Sequence, residues 1–394
     1  MTRARPRPRH PAGTALALGA AILAAGCGSA APPARGPATQ AATPGPPSLN
    51  TSLVTAAGTW AVTVMGGSSA QHNDFWQLLM RPAGGTRWKL VTPTGVADNG
   101  GLILADAGGQ SLITGFRPSQ YLAFTPLTVT RDGGQAWSSG NPVDAALADV
   151  PDALAAAPGT GNLLALLANG TAKLAASGAA NWSTLASQRT LASTPPGRHC
   201  GLRGLTAAAF TPSGIPLLAG TCSHPGTAGI FAARGGTWQA AGPQLPATLA
   251  HQTITVLRLT QAAHRTMALL AAGAGPAASL FAAWSADGGS RWTLSPAFRL
   301  NGSTLTATSF GPAGTAAIVL NGNRGAAIAG TETSWRSLPA LPPGTATLAP
   351  GPAGGFDALA VHHTTLTIWQ LAPGSAAWRT TQAIRVPIQF GSSG

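Results

Sequence analysis

The chain has 394 residues, 44% of them hydrophobic and only 8% charged, an apolar share that supplies a buried core and excludes a charge-driven disordered chain. Its 23 Lys and Arg against 10 Asp and Glu give a net charge of +13. Those charges are scattered and form no compact basic run, which argues against nucleic-acid binding.

The N-terminus reads as an export leader over residues 1–26. Arg3, Arg5, Arg7 and Arg9 form a basic head, "TALALGAAILAAG" is an apolar segment of 13 residues, and Cys27 follows small residues. Such a segment is too short to cross ~30 Å of hydrocarbon as a permanent helix. The stretch "LAAGC", Leu23 to Cys27, resembles a bacterial lipobox, with Ala24 where an aliphatic residue most often stands. The resemblance implies cleavage before Cys27, a thioether-linked diacylglycerol on that residue, and a lipid anchor in the outer, extracytoplasmic face of the cell membrane. The competing reading is an ordinary cleaved signal with a chance Cys. Without the leader's four Arg, 19 basic residues face 10 acidic ones. That surplus suits weak attraction to anionic lipid or envelope polymers.

Residues 27–50, "CGSAAPPARGPATQAATPGPPSLN", are rich in Pro, Ala, Gly and Ser and poor in large apolar groups. They read as a disordered tether between the lipid and the folded part.

From residue 51 to 394 the chain repeats itself around tryptophan. "TRDGGQAW" ends at Trp137 and "SADGGSRW" at Trp292, and weaker copies end at Trp88, Trp182, Trp238, Trp335 and Trp378. The steps from Trp88 onward are 49, 45, 56, 54, 43 and 43 residues, close to the ~40–50 of a four-stranded propeller blade. Within the fourth unit "GLTAAAF", "IPLLAGT", "AGIFAA" and "TWQAAG" read as strands, with "TPSG" as a tight turn. The sixth repeats the scheme with "TLTATSF", "TAAIVL", "AAIAG" and "SWRSLP". Radial repetition protects the edges of such hairpin sheets. The expected fold is therefore all-β, a monomeric seven-bladed β-propeller of four-stranded antiparallel blades over residues 51–394.

In the two strong copies, Asp132 and Asp287 sit before paired glycines that permit positive φ, Gly134 and Gly289 among them. The carboxylate can accept the turn's own backbone N–H groups, and Trp137 and Trp292 then bury against the neighbouring hairpin. The motif resembles the Asp-box, or bacterial neuraminidase repeat, of sialidases, sortilin-type receptors and photosystem assembly factors. That resemblance implies a propeller with the motif at the blade periphery, and it carries no activity by itself.

"GFRPSQY", Gly115 to Tyr121, is faintly similar to the sialidase motif whose arginine binds the substrate carboxylate, which would be Arg117. Sialidase chemistry also needs a Tyr activated by Glu. The chain has one of each, Tyr121 and Glu332, at opposite ends of the expected propeller. No nucleophile elbow, phosphate loop or zinc-protease motif occurs. A non-enzymatic binding or scaffold protein of the cell envelope, without cofactor, is the expected function. The alternative is a degenerate sialidase-like glycoside hydrolase or a glycan-binding lectin.

Cys200 and Cys222 flank the first hairpin of the fourth unit, and in an exported protein such a pair reads as a disulfide. Reduced thiols and a metal site shared with His199 and His224 are the competing readings, although adjacent strand residues point apart.

The first-to-second and third-to-fourth strand turns of every unit share one end, hereafter the first end. The second end, with the second-to-third turns and the inter-unit connections, collects the chain's unusual residues. They are His72, Asp74, Arg117, Arg189, Arg198, His224, Arg324, His362 and His363. A basic, His-containing rim there would favour an acidic partner, either an anionic glycopolymer or a carboxylate-rich envelope protein.

Overall fold

The computed structural model describes residues 50–66, 74–93, 102–116, 127–139, 151–176, 181–262, 264–311, 314–330, 332–351 and 354–386. The fold is all-β and propeller-like, built from successive four-stranded antiparallel units. In the fourth unit the strands Leu202–Phe210, Pro216–Cys222, Gly229–Arg234 and Thr237–Ala240 pair in chain order. The sixth unit has Leu305–Phe310, Ala316–Leu320, Arg324–Ile328 and Arg336–Ser337 in the same arrangement.

These strands are apolar on both faces because each unit is packed between two others. Leu217, Ala219, Ile230 and Ala232 join Ile254 and Val256 of the following unit in one core cluster. Leu218 and Phe231 join Leu164 and Leu166 of the preceding unit in another. Residues i and i+2 thus face one neighbour while i+1 faces the other, as the two-residue period of a strand dictates. The outermost strand has no such burden, and Thr237, Gln239 and Ala240 are exposed.

The first strands of the units pack side by side around a common centre, and the last, Thr345–Pro350, meets the first, Asn50–Thr55. Three hydroxyls draw this junction tight. Ser52 and Ser309 both donate to the Leu348 carbonyl, and Thr347 donates to the Val62 carbonyl at 2.7 Å. Residues Asn50–Ser52 also pair in parallel with Ala307–Ser309 of the sixth unit. The strands therefore close in on one another across the centre and leave little open space there.

The repeated tryptophan has a recurring job. Trp137, Trp292, Trp335 and Trp378 donate their indole N–H to Val91, Ala241, Pro296 and Pro339 carbonyls, each in the preceding unit. In the first unit the same position, Trp88, donates at 2.8 Å to Asp357 of the last unit.

The connection into the fourth unit departs from a plain loop. It holds two short helices, α1 (Gln188–Ala192) and α2 (Pro195–Cys200). Ser187 and Thr190 form a reciprocal capping box, Thr194 caps α2 by accepting the Gly197 N–H with Pro195 in the first turn, and Gly201 closes α2 at φ 62°.

Candidate functional site

The two strong Asp-Gly-Gly turns fold identically. Asp132 Oδ1 accepts from the backbone N–H of Gln135 and Ala136 and from Thr130 Oγ1, while Gly134 N–H donates back to Thr130 Oγ1 at 2.8 Å. Asp287 repeats this with Ser290, Arg291 and Ser285, and Gly289 N–H donates to Ser285 Oγ at 2.8 Å. These backbone donors hold both carboxyls below their usual pKa. The acids of the first end thus serve their own turns.

Glu332 does the same in the third-to-fourth turn of the sixth unit, where its carboxylate accepts the Ala329 N–H at 2.7 Å. Tyr121 and Arg117 lie outside the described residues, as do His72, Cys27 and the expected tether up to residue 49, whereas Asn50 already belongs to the first strand. Asp74 opens the strand Asp74–Pro82 and pairs with Gly66, so it belongs to a strand end and not to a loop.

The remaining rim residues stand at the second end, all exposed. Arg189 lies on α1, and Arg198 on α2, where it donates to the Ser193 carbonyl. His224 donates through Nδ1 to the His199 carbonyl at 2.7 Å. Arg324 donates to Ser303 Oγ, and His362 donates through Nε2 to the Pro343 carbonyl at 3.1 Å. His363 occupies the tight turn of that hairpin at φ 51°. The thiols beside this rim are joined, with Cys200 and Cys222 forming a disulfide of Cα separation 4.9 Å. No group of three metal-ligating side chains occurs among the described residues.

One of the rim residues, Arg324, lines a groove of about 860 Å³ between the sixth and last units. Arg324 and Asn323 stand on its exposed rim, and Leu320, Leu338 and Leu341 make its buried floor. Trp369, Trp378 and Phe298 also line it, and so does Pro343, the acceptor of His362. Of this lining the sequence reading named Arg324 and none of the aromatics, because the groove is assembled from distant segments.

The centre of the circuit holds a cavity of only about 70 Å³. Arg258 lines it from the strand Ile254–Ala262, with Nε donating to Thr308 Oγ1 at 3.2 Å. The side chain is only partly exposed, and desolvation by burial lowers its pKa to about 10. Asp152 also lines the cavity.

At the first end a further cavity of about 470 Å³ lies along the seam between the first and last units. The buried pair Arg81 and Asp357 lies against it, with Arg81 also 5.4 Å over the Trp88 ring. Burial raises the Asp357 pKa, opposed by Arg81 and by the Trp88 and Gln370 hydrogen bonds. The sequence reading missed this pair. Its only signal is one acid inside the apolar strand Phe356–His362.

No family model matches the chain, and no curated protein does either. Among solved structures, a protein from Lactobacillus plantarum is similar at 11% identity over 83% of this chain and 96% of that one, with a TM-score of 0.50. YCF48 from Cyanidioschyzon merolae gives 12%, 83%, 97% and 0.47. YCF48 bound to D1 peptide gives 17%, 69%, 74% and 0.39. At such identities the likeness concerns the fold alone, which is that of a β-propeller.

Proposed function

We propose that the chain is a lipid-anchored, extracytoplasmic, seven-bladed β-propeller that binds an acidic partner at its second end and performs no chemistry. In this reading residues 1–26 are removed, Cys27 carries the lipid, residues 27–50 form the tether, and residues 51–394 form the propeller. Its two Asp-Gly-Gly turns are Asp-boxes with a structural role.

The distribution of charge partners carries the reading. Among the described residues the ion pairs are Arg81–Asp357 and Arg291–Asp287, both at the first end. At the second end Arg198, His224 and His362 bond backbone carbonyls, and Arg324 bonds a serine. The charges of Arg198 and Arg324 are left to an acidic partner. The glycosidase alternative is weakened because the only Glu of the chain is spent on its own turn.

The test is a pull-down from envelope membranes with wild-type protein, an Arg198→Ala/Arg324→Ala pair and an Arg87→Ala/Arg291→Ala pair. Loss confined to the second-end pair supports the reading, and loss confined to the first-end pair overturns it. Turnover of a fluorogenic sialoside or an aryl glycoside would restore the enzyme alternative. For the anchor, Cys27→Ala should abolish lipoprotein processing or release the protein, and unchanged processing with membrane retention would refute it.

A further inference from the structure

The groove between the sixth and last units contains a tryptophan that the repeat does not require. Each recurring tryptophan with a bonded indole gives its N–H to the preceding unit, and Trp378 does so with Pro339 at 3.3 Å. Trp369 stands elsewhere, in the third strand of the last unit, Thr365–Leu371. It is half-buried against the core, and its indole N–H has no partner among the described residues. A flat apolar face beside an unused donor is the amphipathic surface tryptophan brings to binding sites.

The surroundings are built and rigid. Leu320, Leu338 and Leu341 support the floor, while the Pro342 carbonyl is held by Thr345 and the Pro343 carbonyl by His362. Asn323, at φ 58°, and Arg324 present an amide and a guanidinium from the exposed rim. No carboxylate lines the groove, so its only formal charge is positive. A volume of about 860 Å³ lies within the range of ligand sites, which pair apolar walls with a few placed polar groups.

We propose that this groove binds an anionic polysaccharide, with sugar rings stacked on Trp369 and Trp378 and an acid group of the polymer on Arg324. The proposal rests on the reading that the second end takes an acidic partner, and it selects the glycopolymer over a protein surface. Two indoles, Trp369 and Trp378, line the groove and offer apolar faces on which sugar rings stack. The Asn323 amide and the Trp369 N–H offer directed hydrogen bonds to hydroxyls, and Arg324 offers a planar fork to a carboxylate or phosphate. An acidic protein surface would use the fork but would leave the indole faces without ring partners.

The experiment titrates the mature protein, from Cys27 onward, with oligogalacturonate and with its fully methyl-esterified neutral counterpart, following tryptophan fluorescence and heat. Oligogalacturonate should bind, and the neutral counterpart about tenfold more weakly, as expected for loss of a charge-assisted contact. Arg324→Gln should reduce affinity for the acidic oligomer to the level of the neutral one. Trp369→Phe, which keeps most of the packing, should weaken both oligomers. The Arg87→Ala/Arg291→Ala pair should change neither.

Affinity unchanged by both Arg324→Gln and Trp369→Phe would overturn the proposal, as would the absence of any binding. Capture of an acidic peptide at the groove in place of the oligosaccharide would overturn it too. Should the groove fail while the envelope pull-down still depends on Arg198, the acidic-partner reading survives and only this site is lost.

Discussion

Trp88 of the first unit and Gln382 of the last bond each other twice, Trp88 N–H to Gln382 Oε1 and Gln382 Nε2 to the Trp88 carbonyl, both at 2.8 Å. Beside them the Trp88 indole and Arg81 converge on Asp357 Oδ2. The tryptophan that tethers other units to their predecessors here tethers the first unit to the last. Ends of the repeat separated by |i−j| = 294 thus meet through side chains, while the hydroxyls on Leu348 and Val62 join the first strands inside.

Breaking one half of this seam should cost more than removing all of it. Arg81→Met leaves Asp357 buried without its cation and should destabilise by about 3 kcal/mol or more, whereas a combined Arg81→Met/Asp357→Leu change should recover much of the loss. Urea denaturation of the three variants gives the answer. A double variant less stable than Arg81→Met alone would show that Asp357 stabilises the seam even without its cation, through Trp88 and Gln370.

The disulfide should be a measurable staple. Cys200 and Cys222 are separated by 22 residues, and opening a loop of that size is expected to lower stability by about 3 kcal/mol on a chain-entropy account. The Cys200→Ser/Cys222→Ser variant, compared with oxidised wild type in denaturant, tests this. An unchanged midpoint would mean that the capped helices α1 and α2 hold the connection unaided.

Much of the fold was legible because its signals are local. "GLTAAAF" and "IPLLAGT" match the strands Leu202–Phe210 and Pro216–Cys222 to within two residues, since short apolar runs and Gly or Pro turns mark strand ends directly. The rim was legible as residue types, and Arg198, His224, Arg324, His362 and His363 do stand at one end. The helices in the connection escaped because α1 and α2 have 5 and 6 residues, too few for a helical period to emerge. The pair Arg81–Asp357 and the groove lined by Arg324 and Trp369 escaped for another reason. Their residues come from different units, and a single sequence does not record which strands a closed repeat brings together.

Acid should loosen the two Asp-Gly-Gly turns late. Backbone N–H groups, Ala136 for Asp132 and Arg291 for Asp287, are the largest cause of each lowered pKa. A carboxyl whose folded pKa lies below its unfolded value stabilises fully above the unfolded value. That stabilisation fades as pH falls through the lower, folded one. Carboxyl NMR titration should therefore show both groups titrating below the ordinary aspartate range. Midpoints at or above that range would contradict the hydrogen-bonded turn.

Arg258 should be a liability to the fold. It is a desolvated cation at the centre of the circuit, and its Nε donates to the Thr308 hydroxyl at 3.2 Å. Exchanging such a group for an apolar side chain of similar length removes the cost of taking a charge out of water, at the loss of one hydrogen bond. Arg258→Met should therefore raise stability, by about 1 kcal/mol or more on the scale of buried charges exchanged for apolar residues. Even at a pKa of about 10 the guanidinium stays charged at neutral pH. The gain should accordingly be the same at roughly pH 6 and roughly pH 9, because no protonation change falls between them. Denaturant midpoints of wild type and variant at both pH values decide the matter. A less stable variant would mean that Arg258 holds the converging first strands together, and that its bond to Thr308 outweighs its desolvation.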